Sequence, residues 1–164
     1  MNPALVPAPA PRLRRRLASM LYESVLLFGV LFSAALIFAV AFNQRSAINL
    51  RQELDVWLFF VLGIYFIWFW IHGGQTLPMK TWHIRLVTKD GMTVSPQRAL
   101  ARYILCWLWC TPGLALAWLL QEQRWMATLF PALNFVLWAM TPLFDKDRQF
   151  LHDRLAGTRL IAIS

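Results

Sequence analysis

Apolar and polar positions along this chain fall into long blocks rather than a short alternation. Residues 17–42 form an apolar block of 26 residues in which Glu23 is the only charge, and further blocks follow at about 54–71, 99–120 and 125–144. A helix rises about 1.5 Å per residue and the hydrocarbon core is roughly 30 Å thick, so some 20 residues suffice to cross it. The pattern predicts an all-α membrane protein built as a bundle of four transmembrane helices. Trp57 and Trp70 lie near the two ends of the second block, where aromatic rings suit the bilayer interfaces, and Asp55 at its start can stay in the polar layer. Pro131 and Pro142 are expected to bend or end the fourth helix.

The intervals between the blocks complete the domain plan. Residues 1–11 contain four Pro and no charge and read as a disordered lead to a membrane domain at 12–164. Residues 43–53 are a short polar connection without net charge once the nearby Asp55 is counted, and 121–124 are too short for more than a tight turn. The longest polar interval, 72–97, contains HIRLVT, then KDG, then MTVS, which predicts a β-hairpin at about 83–95. In the tail, 145–164, an amphipathic helix, a stop at Gly157 and a strand TRLIAI are expected. The motif Ala39-Val40-Ala41 imitates a signal-peptidase site, but the block before it is about twice a signal core and more membrane segments follow, so an uncleaved first helix is expected.

Charge adds orientation. With four helices, 13 of the 16 Lys and Arg fall on one side of the membrane, and only Arg45, Arg51 and Arg124 on the other. The positive-inside rule then puts both termini and the 72–97 interval in the cytoplasm. The net charge of +8 invites a nucleic-acid reading, but these residues flank apolar blocks, so they read as topology signals and no nucleic-acid partner is expected. The same reading covers Arg12, Arg14 and Arg15, for which specific binding of anionic lipid is the alternative. With 59% hydrophobic residues, 15% charged residues and nine Trp, a soluble domain is excluded.

Candidate chemistry is sparse. Cys106 and Cys110, one helical turn apart, are expected as neutral thiols in a helix interface, and His72, His83 and His152 as scattered interfacial side chains without metal-ligand spacing. No phosphate-binding Gly loop, no nucleophile with a base and no haem signature is found, so neither an enzyme nor a bound cofactor or metal is expected. What stands out is the stretch RLRRRLASMLYESVLL at 12–27, where a basic cluster runs into the first helix and Glu23 follows Arg16 by seven residues, two turns along nearly the same face. Counting back from Phe42 puts Glu23 at the cytoplasmic edge of the hydrocarbon and Arg16 about 10 Å further out. A carboxyl group in that place is costly and marks a candidate site. Ser19 and Ser24 beside it suit either cation coordination or helix packing.

Four segments together carry a family resemblance: Arg16-Leu17-Ala18 with Glu23, the run GQTLPMK from Gly74 to Lys80, Arg98 with Arg102, and DRLAGT from Asp153 to Thr158. The chain from about Arg15 to Ile161 resembles the RDD family of bacterial membrane proteins, with Glu where that family usually has its first Asp and Pro78 where Gly is common. The family's one Arg and two acids fall on Arg16, Glu23 and Asp153, with Arg98 and Arg102 in support. Glu in place of Asp keeps the charge on a longer side chain, so an electrostatic role survives better than a strict ligand geometry. The resemblance implies a location in the bacterial inner membrane and, through members linked to sodium or lithium export, exchange of Na⁺ or Li⁺ for H⁺.

Two arrangements of the trio are open. In one, the tail folds back under the membrane, Asp153 pairs with Arg16 or a neighbouring Arg, Glu23 accepts from Arg98 or Arg102, and TRLIAI joins the hairpin as a cytoplasmic cap. In the other, Glu23 takes up and releases a proton or Na⁺ while Arg16 tunes it. The first suits a membrane scaffold bound to another membrane protein. The second suits an exchanger, and since four helices make a thin wall for a path, it suits a homo-oligomer.

Overall fold

In a computed structural model of the chain, the described residues are 9–42, 50–109, 111–120 and 126–163. Residues 1–8 of the lead, 43–49 of the first connection, the turn at 121–124 and Cys110 lie outside them. The first helix, α1 (Leu13–Ala41), buries Arg16, Ser19, Glu23, Ala34 and Phe38 while leaving Leu21, Val25, Phe28 and Phe32 exposed. Burying polar side chains and exposing apolar ones suits lipid as the solvent. A second helix, α2 (Arg51–His72), packs beside it, and Trp57 Nε1 donates to the Ala34 carbonyl at 3.1 Å. Both α1 and α2 are long and apolar enough to cross a membrane.

The third block differs from the expected single helix. It forms α4 (Pro96–Cys106), a 3₁₀ turn at Trp107–Trp109 and α5 (Thr111–Leu120), with the two parts inclined at 41°. The physical reason is Pro112, which has no N–H to donate and whose ring crowds the carbonyl four residues back. Asn134 from α6 (Met126–Phe144) answers the break by donating to the Trp109 carbonyl at 2.7 Å and the Leu108 carbonyl at 3.4 Å. Counted as one broken span, α4 and α5 make a third candidate crossing, while the apolar stretch of α6 at Thr128–Phe144 is shorter. Pro131 and Pro142 both lie inside α6, which runs on to Phe144.

The polar interval and the tail build one cap. After α2 comes a short helix, α3 (Leu77–Thr81), whose N-cap hydroxyl on Thr76 accepts from Met79 N at 3.5 Å, and then β1 (Ile84–Thr88). The hairpin expected at 83–95 does not form. Thr88 N donates to Met92 O at 2.9 Å and Gly91 N to Thr88 O at 2.9 Å, closing a turn, and residues 92–95 then run without a ladder into Ser95, the N-cap of α4. That segment offers Val94 to the core before Pro96 begins the helix, whereas the tail strand β2 (Thr158–Ala162) matches all five residues of β1. The pairing is antiparallel, from Ile84 opposite Ala162 to Thr88 opposite Thr158, and it buries Ile84, Leu86 and Leu160. Gln149 works like a further strand residue, with its side chain donating to Leu160 O at 3.1 Å and accepting from Leu160 N at 2.9 Å. The described end of the N-terminal lead is tied down as well, since Ala162 N donates to Pro9 O at 2.9 Å.

Between β2 and α4 sits α7 (Leu151–Leu155), as the tail pattern predicts, followed by Gly157 at φ +68°. Gly74, at φ +70°, turns the chain from α2 into the cap, and a Cβ there would run into the Leu86 carbonyl. Gly157 has no atom within 4 Å of a Cβ. Gly74→Ala is therefore expected to lower the thermal midpoint in detergent by more than Gly157→Ala, since the latter meets only backbone strain of about 1 kcal/mol. Equal shifts for the two would show that the Gly74 to Leu86 contact is not rigid.

Candidate functional site

Where α1 meets the cap, five elements bring charged and hydroxyl side chains together. Arg16, Ser19 and Glu23 share one buried face of α1 because their spacings of three and four residues match the helical turn. Tyr65 comes from α2, Thr76 from the start of α3, Arg102 from α4, and His152 and Asp153 from α7. The sheet is what delivers the last two, because α7 directly precedes β2 and β2 is held on β1.

Asp153 is fully buried and its Oδ1 accepts from Arg102 Nε at 2.7 Å. The Arg102 guanidinium also lies over the Trp70 ring at 4.2 Å and meets His152 Nε2 at 3.3 Å. Burial alone would raise the Asp153 pKa, but the Arg102 charge, His152 and the hydrogen bond from Arg102 together hold it below the usual carboxylate range. His152 moves the other way. Desolvation pushes its pKa down to about 4, against the pull of Asp153, so the ring is neutral near pH 7. Its Nε2 lies between the Arg102 guanidinium and Asp153 Oδ1, the latter at 3.4 Å, and its Nδ1 is buried without a hydrogen-bond partner among the described residues.

Glu23 has a different shell. Its Oε1 accepts from the Tyr65 hydroxyl at 2.7 Å and its Oε2 from the Thr76 hydroxyl. No cation pairs with it among the described residues. Arg16 does not turn to Glu23 either: its Nε donates to the Pro11 carbonyl at 3.0 Å, its guanidinium lies 5.5 Å over the Phe150 ring, and Nη1 and Nη2 are buried without a hydrogen-bond partner among the described residues. A hydroxyl can donate to a carboxylate or accept from a carboxylic acid. The Glu23 shell can therefore serve either protonation state with the same two partners.

Against the sequence expectation, the family trio is assembled but not mutually paired. Arg16 and Glu23 border one cavity of about 460 Å³, and Arg102 and His152 border it too. Asp153 pairs with Arg102 rather than with Arg16. Glu23 accepts from neither Arg98 nor Arg102, because Arg98 is exposed on α4 and Arg102 is taken by Asp153. His152 is not interfacial but buried in the ion-pair cluster, a correction that no spacing signal could have supplied. Tyr65 and Thr76 were also missed. Thr76 lies within the GQTLPMK run, and Tyr65 is the one hydroxyl in the aromatic stretch of α2, which is the signal that could have found it.

Ser19 is buried on the cavity wall, while the Ser24 hydroxyl donates back to Leu21 O at 2.7 Å. Cys106 is a free thiol on the same wall. Among the described residues, no group of three or more His, Cys, Asp or Glu could hold a metal ion. Among curated proteins and among solved structures, none matches this chain. A family model described as the RDD family matches residues 10–157, which takes in every charged residue of the site. By that match over most of its length, the chain belongs to the RDD family.

Proposed function

We propose that this membrane protein exchanges protons for a small monovalent cation, Na⁺ or Li⁺, with Glu23 as the exchanging carboxylate. One observation carries the reading: of the two buried acids, Asp153 is locked to Arg102, whereas Glu23 faces a cavity with hydroxyl partners and no cation on it among the described residues. An intramembrane acid left uncompensated is costly unless it is used. The hydroxyls of Thr76 and Ser19 border the same cavity and offer oxygen to a small cation. Arg16 contributes a fixed positive charge two turns toward the cap.

The proposal includes a four-span topology in the bacterial inner membrane, with α4 and α5 as one broken span, α6 as the fourth, and both termini and the cap in the cytoplasm. It also includes a homo-oligomer, since this few helices form a thin wall, and it excludes catalysis of a covalent reaction. The test uses full-length protein in proteoliposomes carrying a proton gradient, read with an internal pH dye. Adding Na⁺ or Li⁺ should dissipate the gradient, and K⁺ should do so less. A correctly inserted protein that gives no cation response, and that stays strictly monomeric in lipid, would remove the exchanger and leave the non-catalytic scaffold, to be pursued through a partner of fixed stoichiometry.

A further inference from the structure

Arg16 holds a second, independent clue. Its side chain is 2% exposed, yet Nη1 and Nη2 have no hydrogen-bond partner among the described residues, and the group borders the 460 Å³ cavity. A buried guanidinium with both outer nitrogens unanswered is costly, and its flat edge matches a bidentate oxyanion. Asp153 gives its Oδ1 to Arg102, and its Oδ2, also buried without a hydrogen-bond partner among the described residues, makes no hydrogen bond to Arg16. Below Arg16 the cavity wall carries Ser19, Glu23 and Ser24 among apolar Met20, Leu27, Phe66 and Phe135. From Arg16 to Leu27 this is about 16 Å along α1.

The walls also have a gap. Among the described residues, helix packing runs from α1 to α2, from α2 to α4, and on through the 3₁₀ turn to α6, but α6 and α1 share no extensive packing. In a membrane protein, a lateral gap between two apolar helices faces lipid. A polar end that wants an oxyanion, an apolar interior and an opening toward the bilayer describe one kind of occupant.

We infer that the cavity binds an anionic phospholipid from the bilayer, its phosphate on Arg16 Nη1 and Nη2 and part of one acyl chain along the apolar wall between α1 and α6. The volume is within the roughly 300–1,000 Å³ range of ligand pockets. Glu23 borders the same cavity, and the test reads lipid retention alone, so its outcome is separate from that for exchange.

The experiment is native mass spectrometry of the full-length protein in detergent, titrated with phosphatidylglycerol, phosphatidylcholine or inorganic phosphate. Wild type should keep one phosphatidylglycerol per chain, at least tenfold more tightly than phosphatidylcholine, and phosphate should not compete. Arg16→Gln should weaken that binding at least tenfold, whereas Arg14→Gln, which removes an exposed charge of the same basic cluster, should leave it within twofold. Leu27→Trp keeps Arg16 and fills the apolar end, so it should weaken retention even if Arg16→Gln does not fold. Equal retention of both lipids, equal losses for the Arg14 and Arg16 variants, full competition by phosphate, or unchanged binding by Leu27→Trp would each overturn the inference. So would an oligomer in which a second copy fills the gap and excludes lipid.

Discussion

Asp153→Asn is expected to destabilise the protein by about 3–5 kcal/mol, because it leaves the Arg102 charge buried with its acid removed. In a protein of this size that corresponds to a fall of roughly 10 °C in the thermal midpoint. Neutral His152 at 3.3 Å cannot replace the lost carboxylate. Removing both charges together, as Arg102→Met with Asp153→Asn, should cost less than Asp153→Asn alone, since no unpaired ion remains. The exposed pair of Arg154 with Asp145, at 2.9 Å, supplies the contrast: Arg154 is about two thirds exposed, so Arg154→Ala should change stability by no more than about 1 kcal/mol. A loss for Asp153→Asn as small as that would mean that Arg102 finds another anion and that the pair does not hold α7 to α4.

The same cluster sets a pH dependence. The folded-state pKa of His152 is depressed from 6.5 to about 4, so between those values the unfolded chain takes up a proton that the native ring refuses. Stability therefore falls as pH falls across that window, by about 1.4 kcal/mol per unit and about 3 kcal/mol in all. Asp153, also depressed, adds its loss only further down, as pH drops from its ordinary value near 3.8 through its lower folded value. Thermal midpoints measured from pH 7.5 to 4.5 should slope accordingly, and His152→Gln should flatten the slope. A flat wild-type profile would show that the ring is hydrated rather than buried.

Glu23→Gln should abolish cation-driven dissipation of a proton gradient while leaving the fold nearly intact. The amide is close in shape and can still accept from one hydroxyl and donate to the other, so a stability change of only about 1 kcal/mol is expected. What it cannot do is bind and release a proton near neutral pH. Glu23→Asp keeps that ability but draws the carboxyl back by one methylene from Tyr65 and Thr76, so a reduced rate is expected rather than none. Tyr65→Phe removes one hydroxyl and should move the pH profile of exchange. Full activity in Glu23→Gln would sink the assignment of Glu23 as the exchanging group even if the protein proves to be an exchanger.

Reading the site from the sequence reached Arg16 and Glu23 because both lie on one helix, where seven residues fix two turns and one face. It reached Asp153 and Arg102 as members of a pattern but could not pair them. They are 51 residues apart, and what brings them together is β2 choosing β1 over the MTVS segment. That choice is one of sheet pairing at long range, to which local alternation is blind. Tyr65 and Thr76 stayed hidden for a similar reason: a hydroxyl in an apolar run or at a helix cap signals nothing until the chain is folded around an acid.

The blocks of apolar residues, their lengths and the charges between them determined by themselves that this chain lives in a membrane and that α1 carries an acid near its polar end, because desolvation acts on local composition. The break at Pro112 was not foreseen in the third block, and its consequence, two short helices bridged by Asn134, depends on α6. Only the tertiary structure decided which charge meets which: that Arg102 takes Asp153, that Glu23 is left to two hydroxyls, and that Arg16 borders a cavity with its outer nitrogens unpartnered among the described residues. Those outcomes are settled by competition among partners within a few ångströms, and distance along the chain does not encode it.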